Sequence, residues 1–101
     1  MTLSPDPLAI ARLKALVARI LSEGDSLGRR RQIRSLQSEV WDTSEVLFSA
    51  ELDELLRDLV YDLDFYEPDV VSRAFDRTYF GDDELEDRVR AALASPAWLD
   101  V

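Results

Sequence analysis

The stretch YDLDFYEPD, Tyr61 to Asp69, sets four carboxylates within nine residues and among large apolar or aromatic side chains. Carboxylates at that density could hold a divalent cation, work as an acid–base pair, or face a basic partner. Asp62 and Asp64 form a D-x-D pair, but residues two apart on a helix point about 200° from each other, so they converge only beyond a helix end. An EF-hand loop is excluded as well, because Tyr66 follows the two aspartates and no glycine stands at the sixth position. The chain has neither histidine nor cysteine. Without them there is no ordinary proton shuttle at neutral pH, no thiolate nucleophile and no imidazole or sulfur ligand for zinc. The residues therefore read as a binding protein, not an enzyme, with no metal and no cofactor.

The distribution of charge separates this chain from a generic soluble helical domain. Residues 51–87 carry fourteen Asp or Glu against Arg57, Arg73 and Arg77, a net −11, whereas residues 1–50 and 88–101 are each close to neutral. Glu54, Asp58 and Asp62 follow one another at i, i+4 and i+8, a spacing at which like charges repel by roughly 0.2–0.5 kcal/mol per pair. A ridge that weakens its own helix is accounted for by a cationic partner, since a concentrated field steers encounter and selects the partner by charge. The carboxylates expected at that interface are Glu54, Asp58, Asp62, Asp64, Glu67 and Asp69, continued by Asp82, Asp83 and Glu84. Tyr61, Tyr66 and Tyr79 lie among these acids, and each is expected to bury its ring and hydrogen-bond its hydroxyl. If Tyr66 is exposed, it becomes the anchor of the interface, because hot spots favour tyrosine. The basic stretch GRRRQIR, with Arg29, Arg30, Arg31 and Arg34, is expected to stay solvated or to pair with the acidic half. An overall charge of −9 opposes nucleic-acid binding.

Helices must position these groups almost throughout. Asp6 before Pro7 is a helix start, and Leu8, Leu13, Leu16, Val17, Ile20 and Leu21 share a face until Gly24. A second helix is predicted from about Ser26 to Trp41, burying Ile33, Leu36 and Val40. Asp42 and Glu45 form a capping box for a third, whose stripe is Phe48, Leu52, Leu55, Leu56, Leu59 and Leu63. Pro68 disfavours helical geometry at Glu67, so that helix should end between Asp64 and Glu67. Residues 65–81 lack a clean period and are predicted as an ordered aromatic connection with at most one helical turn. Asp83 and Glu86 form a second capping box, Leu85, Val89, Ala92 and Leu93 line the last helix, and Trp98 and Leu99 fold back as a hydrophobic plug. No segment alternates at period two for long enough to be a strand.

The predicted fold is all-α, a small antiparallel four-helix bundle with an aromatic-rich connection before the last helix, forming one domain over residues 1–101. Charges at Arg12, Lys14 and Arg19 interrupt the first apolar run, so neither a secretion signal nor a membrane span is expected there. The expected compartment is the cytoplasm, in keeping with the lack of cysteine.

The order LFSAELDELLRDL, then YEPD, then an aromatic-flanked acidic turn leading into DDELEDRVRAALA resembles the bacterial immunity proteins of the colicin D type and the related self-protective colicin-like immunity group, over roughly residues 44–94. The resemblance implies a single helical domain that binds the catalytic domain of a cognate toxin and blocks it. A toxin nuclease such as a tRNase needs a basic cleft for phosphates, which an acidic helical surface can occupy. A second reading from a different class stays open: an acidic helical adaptor or regulatory subunit binding a host protein. That reading predicts a flatter interface centred on exposed apolar residues.

Overall fold

The computed structural model describes residues 7–42 and 49–100. It is all-α: α1 (Pro7–Ser22), α2 (Ser26–Trp41), α3 (Ala50–Leu63), the short α4 (Val70–Arg73), α5 (Asp82–Leu93) and a terminal 3-10 turn (Pro96–Asp100). Among the described residues there is no strand; Tyr66 and Phe80 form one isolated parallel bridge. Among the described residues no helix is long and apolar enough to cross a membrane.

Local chemistry accounts for most element ends. The Asp25 carboxylate caps α2 by accepting from the Gly28 amide at 2.6 Å, and Ser49 Oγ caps α3 by accepting from the Leu52 amide. Asp42 is instead the C-cap of α2, which corrects the predicted capping box; Glu45, Phe48 and the Asp6 cap lie outside the described residues. The α3 ladder tightens as it ends. Asp64, Phe65 and Tyr66 donate to carbonyls three residues back, as 3-10 closure requires. α5 begins two residues earlier than the predicted Asp83 capping box implies, after Gly81 and without a side-chain cap. Asp82, Asp83 and Glu84 in its first turn complement the helix dipole in place of a cap.

The core is continuous. It is built from Leu13, Leu16, Val17 and Ile20 of α1, Ile33, Leu36 and Val40 of α2, Leu52, Leu56, Leu59, Val60 and Leu63 of α3, and Leu85, Val89 and Ala92 of α5. α1 packs on α2 and α5, α3 packs on α2 and α5, and the 3-10 turn closes on α3. Two sequence expectations shift here. Leu8 is exposed while Ile10 is buried, so the buried face of α1 is rotated relative to the predicted one in its first turn. Arg29, expected either in solvent or paired with the acidic half, is buried.

Trp98 is buried, as the fold-back plug requires; its indole Nε1 donates to the Ala92 carbonyl at 2.8 Å, and Lys14 Nζ lies 5.7 Å from the ring centroid. Leu99, the other plug residue, has no described side chain.

Candidate partner-binding surface

The fold sorts the acidic residues into those neutralised inside the chain and those left outward. Arg29 organises the first group. Its Nη1 donates to Asp82 Oδ1 at 2.7 Å, its Nη2 to Glu86 Oε1 at 2.8 Å and its Nε to the Glu23 carbonyl at 3.3 Å. The planar fork of the guanidinium satisfies two carboxylates of α5 from one position on α2. Hydrogen bonding to Glu86 is the main cause holding the Arg29 pKa above its ordinary value, against the opposing effect of burial.

Tyr66 joins the same network. Its ring is buried and meets Phe80 with centroids 6.3 Å apart, and its hydroxyl donates to Asp82 Oδ1 at 2.6 Å. This matches the expected buried tyrosine and corrects the placement of Tyr66 as an exposed anchor, because a ring in the core offers nothing to a partner. Tyr61 and Tyr79 depart from expectation in the other direction and are exposed.

The network has a pH signature at both ends. The Asp82 carboxyl is held below its usual range, first by the Tyr66 hydroxyl and then by Arg29. Its stabilising effect is therefore whole above the ordinary carboxylate value of about 4 and fades as pH falls through the depressed one. Burial, followed by donation to Asp82, pushes the Tyr66 phenol up to about 12. Stability is full below the ordinary value of 10.0 and is lost as pH rises towards that raised one. Tyr66→Phe should cost about 1–2 kcal/mol at neutral pH and abolish the alkaline phase between pH 10 and 12. Melting temperatures of the two proteins across pH 3–12 check this; an unchanged alkaline phase in the variant would assign that phase to another group.

Other predicted interface carboxylates are also engaged internally. Glu67 pairs with Arg30, Asp62 with Arg88 at 3.2 Å and Glu84 with Arg88 at 3.0 Å. Arg88 lies over the Phe80 ring at 4.6 Å, and its Nε is buried without a hydrogen-bond partner. Gln37, buried in α2, donates to the Val60 carbonyl at 3.0 Å and to Asp64 at 3.4 Å. It thereby takes up a carbonyl that the tightened end of α3 leaves free. Asp62 and Asp64 thus serve different neighbours. Among the described residues, no group of three or more Asp or Glu is arranged to hold a metal ion. Asp69 caps α4, accepting from the Val71 amide at 3.1 Å and the Ser72 hydroxyl at 3.0 Å.

The second group faces out. Glu51, Glu54 and Asp58 lie exposed along α3 and form no ion pair with another described residue. Together with Leu55, Ser95, Pro96 and Ala97 they line an open groove of about 330 Å³. Its floor is apolar and its rim carries three carboxylates, which suits a lysine or arginine that lays its stem on carbon and presents its cation to oxygen. Sequence reasoning missed Glu51 and the groove floor, because the 3-10 turn meets α3 only in the folded chain. No family model, curated protein or solved structure matches this chain.

A third feature carried no clear sequence signal. Val70, Val71 and Phe75 stand 69%, 69% and 85% exposed on the connection between α3 and α5. Beside them, Asp76 accepts from both the amide and the hydroxyl of Thr78, at 2.9 and 2.8 Å, which holds its carboxyl below the usual range.

Proposed function

We propose that this chain is an immunity protein of the colicin D type, a small antiparallel four-helix bundle with an aromatic-rich connection before its last helix. In this reading it works in the cytoplasm as a single domain, binding the basic catalytic domain of a cognate bacterial toxin, a nuclease such as a tRNase, and blocking it without catalysis of its own. The observation that carries the reading is the groove of Glu51, Glu54 and Asp58, whose charge no described cation of the chain offsets. The carboxylates Asp62, Glu67, Asp82 and Glu84 are paired within the chain and serve the fold.

This division decides which residues test the mechanism. Reversing Asp62 would also strip Arg88 of a partner, whereas Glu54 and Asp58 have no ion-pair partner among the described residues. Glu54→Lys with Asp58→Lys keeps the repulsion between positions 54 and 58 and turns that between 58 and Asp62 into an attraction, so stability should change by no more than about 1 kcal/mol. Association with the toxin domain should slow at least tenfold at low ionic strength, and the difference should shrink with salt as the Debye length falls to about 8 Å at physiological strength. Stopped-flow association at several salt concentrations reads this directly; a rate indifferent to both the reversal and the salt would sink the electrostatic mechanism.

The exposed Val70, Val71 and Phe75 favour the second reading, an adaptor or regulatory subunit bound to a host protein through an apolar interface. Growth rescue separates the two. On the inhibitor reading, a neighbouring reading frame should encode a toxin domain, and expression of this chain should restore growth to cells making it, which an adaptor would not do.

A further inference from the structure

We propose that the connection between α3 and α5 is a preorganised apolar crown, with Phe75 as its central anchor, that inserts into an apolar recess on the same basic toxin domain. This deepens the inhibitor reading above and rests on it, adding the short-range contact that electrostatic steering lacks.

Three observations carry it. First, large apolar side chains that remain exposed together on a small soluble protein mark interaction sites, and Phe75 is 85% exposed between Val71 and Tyr79, which are themselves exposed. Second, the segment is pinned. Asp69 caps α4, Arg73 Nη1 donates to the Glu67 carbonyl at 2.8 Å, and Asp76 closes the following turn on Thr78. At the base, the Glu67 amide donates to the Phe80 carbonyl and the Phe80 amide to the Phe65 carbonyl, at 2.8 and 3.1 Å. Gly81 leaves room for the Arg73 guanidinium, which lies where a Cβ would stand and would have to swing aside for a larger residue. A loop held this way loses little freedom on binding, so its apolar contacts convert efficiently into affinity. Interface hot spots cluster in such desolvated centres, ringed by polar groups.

Third, the rim identifies the partner by charge. The groove beside Val70, about 490 Å³, is lined by Pro68, Val70, Arg73, Gly81, Asp82, Asp83 and Glu84, three carboxylates against one arginine. Asp83 is exposed and forms no ion pair with a described residue. The crown also adjoins α3, since Tyr61 and Asp62 share a cavity of about 340 Å³ with Arg77 and Thr78 of the connection and with Glu84 and Arg88 of α5. An apolar centre with a carboxylate rim fits a basic surface that carries an apolar recess. Neither an anionic membrane nor a nucleic acid offers that combination.

The test uses full-length Phe75→Ser and Val71→Ser proteins against a catalytically inactive form of the toxin domain encoded next to this chain, read by surface binding kinetics. Phe75→Ser should weaken binding about thirtyfold, the size of an interface hot spot. The loss should appear in dissociation and be independent of salt, with the melting temperature unchanged, and Phe75→Leu should recover much of it. The kinetic split sets this effect apart from reversal of Glu54 and Asp58, which acts on association and fades with salt. If the wild-type chain binds and Phe75→Ser binds equally well, the crown is overturned while the inhibitor reading stands. If the wild-type chain does not bind the toxin domain at all, both fall. Sedimentation of the free proteins supplies the remaining arm: a wild-type dimer that Phe75→Ser makes monomeric would assign the crown to a second copy of this chain and overturn the proposal.

Discussion

Trp98→Ala is expected to cost about 3–5 kcal/mol, the range for deleting a large aromatic from a packed core. Against a total stability of roughly 5–15 kcal/mol, that leaves a fold at the edge of persistence. The ring is 6% exposed, and its neighbours cannot readily collapse onto the space it leaves, because it closes the bundle from a 3-10 turn that packs on α3. The loss also removes the indole donor from the Ala92 carbonyl, although the Ser95 amide still reaches that oxygen at 3.1 Å. Trp98→Phe separates the two effects: it retains most of the buried area, loses only the N–H, and should cost nearer 1–2 kcal/mol. At this chain length the alanine variant should melt at least about 15 °C below the parent. Thermal melts followed by circular dichroism measure both variants, and an alanine variant within a few degrees of the parent would show that the terminal turn is not part of the cooperative core.

Arg29→Met is expected to destabilise the fold by about 2–4 kcal/mol, towards the lower end of the range for breaking a buried ion pair. The discount has a structural cause. The side chains of Asp82 and Glu86 are 50% and 31% exposed, so both carboxylates can recover part of their hydration when the guanidinium is removed. What they do not recover is the tie between α2 and α5. Arg29→Lys should fall between parent and Met variant, since an ammonium keeps the charge without the fork that meets two carboxylates at once. Adding Glu86→Gln to Arg29→Met should restore part of the loss by relieving a carboxylate left without its cation. Thermal melts of the parent, Arg29→Met, Glu86→Gln and the double variant form the cycle, and an additive result would mean that Arg29 and Glu86 are not energetically coupled. The link to function is direct: Asp82 and Tyr66 anchor the base of the connection that carries Phe75, so a weakened Arg29 site should also loosen the proposed binding surface.

The outward carboxylates and the inward ones look alike in the sequence. Glu54 and Asp62 both occupy an i, i+4 ridge, yet Glu54 borders an open groove and Asp62 meets Arg88. Arg88 belongs to α5, and the encounter depends on how α5 packs on α3. Tyr66 stands inside the acidic stretch that first drew attention, and its burial follows from the bridge to Phe80, which no local pattern encodes.

By itself, the sequence determined the helical class, the span of α2, the end of α3 near Asp64, the fold-back of Trp98 and the concentration of negative charge between residues 51 and 87. These are legible because a helix is made by bonds between near neighbours and buried through a 3.6-residue period, so its information lies within a few residues of where it acts. Only the tertiary structure decided that Arg29 is a buried tie, that Asp82 joins Arg29 to Tyr66, that Glu51, Glu54 and Asp58 share a groove with Pro96 and Ala97, and that Phe75 stands free on a pinned loop. The partners of Arg29 in α5 lie 53 and 57 residues away. The strength of such a pairing depends on separation and on the water removed around it, and both exist only after the helices have packed.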